Sequence, residues 1–236
     1  MWSVLSNGSA SCRRMSRSSW PCCVKSLGWP RLKKTPNRKE FVMKKTLLCL
    51  LIMLTVSIAN GAASEWRIDP DHSNAQFRIR HLMISEVGGM FPTITGKLTL
   101  NDDNVSDSSI EVAVAVASLD TGVAKRDAHL LGSDFFDVDN FPTMTFVSTR
   151  IDKTNQGLAL YGTLTIHGYS HSTVFAVTGP SEAIKDPWGM TRIGASATTT
   201  INRRHFGMVW NEVLDNGNAM IGNEVELQID MELIRQ

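Results

Sequence analysis

From Ser64 to the C-terminus the sequence alternates apolar and polar residues with a period of two, which excludes a helical bundle and any βαβ architecture. The last segment is the clearest. Val225, Leu227, Ile229, Met231 and Leu233 fall on one face, with Glu224, Glu226, Gln228, Asp230 and Glu232 on the other. The pattern recurs in Ala75, Phe77 and Ile79, in Ile94, Gly96, Leu98 and Leu100, and in Ile110, Val112, Val114 and Val116. It recurs again in Leu158, Leu160, Gly162, Leu164 and Ile166, and in Ile193, Ala195, Ala197, Thr199 and Ile201. Turn-forming runs at 101–104 (NDDN), 154–157 (TNQG) and 186–189 (DPWG) separate the segments. Seven to nine strands without a crossover helix predict an all-β, antiparallel sheet, closed as an up-and-down barrel or packed as a sandwich. Helical turns are expected only near 123–131 and 205–214. Small inward residues such as Gly96, Gly162, Ala195 and Ala197 signify either tight packing or room for a guest. An eight-stranded barrel is just wide enough to hold one small ligand.

The segment before Ser64 reads differently. Residues 43–63 begin with Lys44 and Lys45, run apolar from Leu47 to Ile58 and end in small residues, the pattern of a cleaved secretory signal peptide. The apolar core falls short of the roughly 20 residues that span a bilayer, so no transmembrane anchor is expected in the mature form. Cys49 lies near the start of that core, where a lipoprotein cysteine would not be. Residues 1–42 carry nine Lys/Arg against a single acid, Glu40, and have no periodicity; they read as an upstream extension from an early start, ahead of Met43. A mature domain of 64–236 and a periplasmic location follow as expectations.

That division reverses the charge. The whole chain is +1, whereas residues 64–236 hold 13 Lys/Arg against 22 Asp/Glu, a net of −9. An acidic domain is a poor candidate for nucleic acid. All four cysteines (Cys12, Cys22, Cys23 and Cys49) lie outside it, so its stability has to come from the core.

Established catalytic patterns are missing. There is no Gly-x-Ser-x-Gly elbow, no Gly-rich phosphate loop and no His-Glu-x-x-His helix. His167 and His171 on one strand would stand about 13 Å apart at about 3.3 Å per residue, so no metal site and no cofactor is expected. Three mixed clusters remain, each at the end of a strand. "HLMISEVGGMF" (81–91) contributes His81 and Phe91. "VAKRDAHLLGSDFFDVDNFP" (123–142) contributes Arg126, His129, Leu130, Phe135 and Phe136. "RRHFGMVW" (203–210) contributes Phe206 and Trp210. Cationic groups beside large apolar ones suit the rim of an apolar pocket that fixes a polar head. The segment between 118 and 143 is expected to cap one mouth, with Leu130, Phe135 and Phe136 towards a ligand chain and Arg126 and His129 towards its polar end. Asp127 is expected to orient Arg126 or to serve the helical turn. Gly162 and Ala195 are expected to leave room for the chain.

These runs resemble the YceI-like family of periplasmic polyisoprenoid-binding proteins. The matching pieces are "WRIDPDHSNAQFRIRHL" (66–82), "GMFPTITGKLTL" (89–100), "SLDTGVAKRDAHLLGSDFFDVDNFPTMTF" (118–146), "GTLTIHG" (162–168) and "INRRHFGMVW" (201–210). The resemblance implies an eight-stranded antiparallel lipocalin-like barrel around a long apolar tunnel, with one or two short helical segments. It implies an isoprenoid or other long-chain lipid as ligand, an isoprenoid quinone or polyprenyl phosphate among them, and a binding protein rather than an enzyme. A homodimer is compatible with it. Where the family commonly has an acidic residue before the Phe-Gly of its "NR" motif, this chain has His205. Two other readings are an enzyme acting on a tunnel-bound isoprenoid through His129 or His205, and a stress-response scavenger of small amphiphiles.

Overall fold

A computed structural model describes residues 63–215 and 217–236. The extension expected at 1–42 and the export segment expected at 43–63 lie outside the described residues, Ala63 apart. Eight antiparallel staves close into a barrel, in agreement with the fold expected from the sequence. The ring runs β11 (Ile221–Arg235), β1 (Ser64–Ile68), β4 (Ile94–Leu100), β5 (Ser109–Ala115), β6 (Thr143–Thr154), β7 (Gly157–Ile166), β8 (Tyr169–Thr178) and β10 (Thr191–Asn202), and β10 pairs back onto β11. β2 (Asn74–His81) continues the β1 stave along β11, and β3 (Ser85–Phe91) continues the β4 stave along β2. The two breaks fall at Pro70 and Pro92, where the missing N–H cannot join a ladder. A two-residue strand, β9 (Ile184–Lys185), pairs with the start of β10 across the expected 186–189 turn.

The alternation builds this ring directly. In β11, Val225, Met231 and Leu233 are buried while Glu224, Glu226 and Gln228 are exposed. Turn chemistry supplies the connections: Thr154 and Gly157 close β6 onto β7, and His167 (φ 50°) with Gly168 (φ 75°) makes the two-residue turn from β7 to β8. β8 and β10 share only three register positions, and beyond these Thr199 Oγ1 donates to the Val174 carbonyl at 2.8 Å.

One end of the barrel is solid. Trp66, Ile68, Ile94, Leu100, Ile193 and Leu233 fill it. Gly96 belongs to that packing, because a Cβ there would lie 2.3 Å from the Glu111 carbonyl oxygen and 2.8 Å from Ile68 Cδ1. At the bend between β1 and β2, buried Arg192 ties the stave down. Its Nη1 meets Asp69 and lies 3.4 Å from Glu232, while its Nε donates to Asp186 at 2.7 Å. Asp69 is held down at about 2, first by its hydrogen bond from Arg192 and, more weakly, by those from His72 and the Asp71 amide, against the cost of burial.

At the other end the chain leaves the sheet, as the sequence predicts. A helix, α1 (Ala124–Leu131), and the turns after it span the mouth. The second expected helical turn, at 205–214, is instead a 3-10 turn at Arg203–Phe206, ended by Gly207 at φ 77° and followed by loop.

Candidate functional site

Between the solid end and the capped mouth lies a cavity of about 330 Å³. Its walls are the inward faces of the staves, among them Phe77, Val114, Phe146, Leu164, Ala197 and Leu227. The volume is at the lower end of the range for ligand pockets.

The cap is built from local interactions. Val123 offers no side-chain cap to α1, and Asp127 in the first turn reaches back to Thr121 instead. Asp127 Oδ1 accepts from the Thr121 amide at 2.9 Å and from its hydroxyl. Arg126 uses the same residue: Nε donates to Thr121 Oγ1 at 2.8 Å and Nη2 to the Thr121 carbonyl at 2.7 Å. Asp127 therefore orients Arg126 through Thr121, without direct contact. After α1, Asp137 adopts φ 46° and folds the chain back so that its amide reaches the Gly132 carbonyl at 2.9 Å. Phe141 then anchors the segment on the β7–β8 turn, packing 4.7 Å from the His167 ring and over Gly168, where a Cβ would come within 2.5 Å of it.

Aromatic rings join the cap to the facing loop. His129 stands edge-on to Phe135 and to Trp210, both at 5.1 Å, and Phe135 lies 5.3 Å from Trp210. Phe136 stands edge-on to Phe91 at 5.4 Å. Such pairs contribute about 0.5–1.5 kcal/mol each beyond their area burial. His129 Nε2 is 3.3 Å from Asp134 at the surface.

The loop itself is held by Arg203, which is 3% exposed. Nη1 donates to the carbonyls of Met208 at 2.6 Å and Trp210 at 2.8 Å, and Nε donates to Gly222 at 2.8 Å. Nη2 donates to Asn223 Oδ1 at 3.4 Å. Burial, with a smaller contribution from nearby Arg204, pulls the Arg203 guanidinium below its ordinary value. Guanidinium groups remain protonated in proteins nonetheless.

Of the residues expected from sequence, His81, Phe91, Arg126, His129, Leu130, Phe135, Phe136 and Trp210 all line the cavity. Three do not. Gly162 faces inward, but the Phe146 ring lies over it: a Cβ would meet Phe146 Cζ at 2.3 Å and the Val147 carbonyl oxygen at 2.5 Å. Ala195 lies towards the solid end against Gly179, where an added Cβ would come within 3.2 Å of the Ala195 Cβ. Phe206 is buried on the far side of the 3-10 turn, edge-on to His171 at 5.1 Å. His205 is also outside the cavity and exposed, its carbonyl 2.8 Å from His171 Nε2. Arg203, by contrast, lines the cavity and was not among the expected site residues, although it stands in the "RRHFGMVW" run. Its end-of-strand position was the only signal, since its partners are mostly backbone carbonyls.

Asp69, His72 and Glu232 bring possible ligand atoms within 4.8 Å of one another. Arg192 already sits among these carboxylates as their cation. No helix among the described residues is long and apolar enough to cross a membrane.

Comparison with known proteins converges on one group. Residues 66–233 match the family model described as a YceI-like domain. A UPF0312 protein of Pseudomonas fluorescens is 36% identical over 203 residues, covering 82% of this chain and 99% of the relative. One from Pseudomonas putida is 33% identical over 199 residues, covering 83% and 100%. Among solved structures, Burkholderia cenocepacia BcnA superposes with a TM-score of 0.60 at 20% identity, covering 70% of this chain and 98% of BcnA. A Saccharophagus degradans domain, described as polyisoprenoid-binding and implicated in plant cell wall breakdown, superposes at 0.52 with 13% identity, covering 72% and 98%. At these identities the two structures speak to the fold alone. The family match spans most of the chain and every stave of the barrel, and this protein therefore belongs to the YceI-like family.

Proposed function

We propose that this protein is a periplasmic carrier that holds a polyisoprenoid or other long-chain amphiphilic lipid in the barrel cavity, without catalysis of its own. The observation that carries the reading is the cavity: apolar walls along the staves, and titratable groups gathered at the capped mouth. A chain with a polar end fits that division, and its burial contributes about 0.8 kcal/mol per CH₂. A domain described as polyisoprenoid-binding shares the fold, which supports an isoprenoid tail. An isoprenoid quinone and a polyprenyl phosphate both have the required form. The enzyme reading through His205 loses its support, because that side chain stands outside the cavity. His129 lines the cavity among aromatic rings, with one surface carboxylate beside it.

Displacement of a fluorescent prenyl probe tests the reading. Unlabelled geranylgeranyl lipids are expected to displace it and to be recovered chemically unchanged. Absence of displacement, or conversion of the lipid, refutes it. Export rests on the basic, apolar and small-residue order of residues 43–63. Fractionation and N-terminal sequencing are expected to find a chain starting near Ala62 or Ser64 in the periplasm. Recovery of residues 1–42 on the stable protein contradicts that.

A further inference from the structure

The ionisable side chains that line the cavity are His81, Arg126, His129 and Arg203; none of the lining residues is Asp or Glu. This is the reverse of the surrounding domain, in which acids outnumber Lys/Arg by 22 to 13. Neither arginine has a carboxylate within ion-pair distance among the described residues. Arg203 is all but fully buried, and its acceptors are three backbone carbonyls and an amide oxygen. Arg126 is half-buried and commits two of its five N–H donors, both to Thr121, leaving three without an acceptor among the described residues. Arg203 is thus a buried cation without a carboxylate partner, which is costly, and Arg126 adds free donors at the same cavity; an anion that shares the site offsets that cost.

We propose that the ligand supplies this anion: the cavity selects an amphiphile with a phosphate or carboxylate head, which the unshared N–H fork of Arg126 grips within the positive field of Arg203. The inference rests on the lipid-carrier reading and narrows it, disfavouring a neutral quinone or prenol. Arg126 is the contact residue. Arg203 is a positioning residue, since its own donors hold the loop that carries Trp210.

Matched tails isolate the head. Geranylgeranyl phosphate and geranylgeraniol are titrated against the full-chain protein by probe displacement, with palmitate and hexadecanol as a second pair and inorganic phosphate alone as a control. The anionic member of at least one pair is expected to bind about tenfold tighter or more, a difference of about 1.4 kcal/mol. In Arg126→Gln the two members of that pair converge to within about threefold, the anionic one losing more affinity than the neutral one. Arg126→Lys, which keeps the charge but not the fork, falls between them. Circular dichroism and melting confirm that each variant folds before it is titrated. Equal binding of anionic and neutral members by the parent overturns the head-group inference and leaves the carrier standing. Preference that survives Arg126→Gln overturns the assignment to this residue. Displacement by inorganic phosphate at lipid-like concentrations marks a free-anion site and overturns it as well. Failure of every amphiphile to bind refutes the carrier reading itself.

Discussion

Ala197→Phe separates an empty cavity from a well-packed core by the sign of its effect on stability. Ala197 lies in mid-β10, paired with Ile229 of β11 and Val177 of β8, and its side chain is buried yet faces the cavity. In a filled core an added ring costs about 1–3 kcal/mol or more. Here it enters a space of about 330 Å³ bounded by aliphatic and aromatic groups. A fully buried Phe is worth about 1.5–3 kcal/mol, and the rotamer entropy it loses takes back part of that. The net gain is about 1–2 kcal/mol, which raises Tm by about 2–8 °C in a domain of this size. The same ring occupies the ligand's space, so affinity for a fluorescent prenyl probe falls by about a hundredfold or more, equivalent to three or four methylenes displaced. The assay is thermal unfolding of delipidated protein by circular dichroism, alongside probe titration. A Tm lowered by several degrees with probe affinity intact refutes both the void and its use.

Gly162→Ala is expected to destabilise by about 3 kcal/mol in chemical denaturation, because its Cβ would lie 2.5 Å from the Val147 carbonyl oxygen, which the ladder holds in place. An unchanged denaturation midpoint contradicts that packing. Asp69→Asn tests the Arg192 cluster through pH. With its folded value at about 2, below the ordinary 3.8, Asp69 contributes stability that is present above pH 4 and lost as pH falls through 2. The contribution is about 2 kcal/mol, so the variant melts lower at pH 7 and shows a flatter acid limb between pH 4 and 2. Parallel acid limbs in parent and variant remove Asp69 from the account. In a chain beginning at Ser64, which holds three of the six tryptophans, Trp210→Phe is expected to abolish the tryptophan emission change on ligand binding, since Trp66 is buried away from the cavity and Trp188 is 78% exposed at a turn. A change that persists in the variant places the ligand elsewhere.

The barrel was legible because its signal is local. Each stave alternates along its own length, and the turns at 154–157 and 186–189 announce themselves through Gly and Pro. The two prolines at 70 and 92 divide single staves into pairs of short strands, so the described residues form eleven strands around an eight-membered ring, more than the seven to nine expected. The capping segment could also be read, since Lys125-Arg126-Asp127 and Gly132-Ser133-Asp134 break the alternation of period two. Small inward residues were misassigned: Gly162 and Ala195, expected to leave room for a chain, do not line the cavity, whereas Ala197 does. Gly162 and Ala197 look alike in sequence, and only the Phe146 ring over the first distinguishes packing from void. Arg203 escaped for a related reason: its acceptors are mostly carbonyls, which every residue possesses. The Asp69–Arg192 pair joins positions 123 residues apart and leaves no local trace.

The central claim, that the cavity carries a long-chain lipid, is tested most directly by native mass spectrometry of the protein isolated from the organism that makes it. The account predicts one adduct per chain that survives gentle ionisation, dissociates as a lipid with a polar end and is absent from Ala197→Phe. A chain that carries no adduct when isolated without detergent, or one whose adduct persists when the cavity is filled by that phenylalanine, contradicts it.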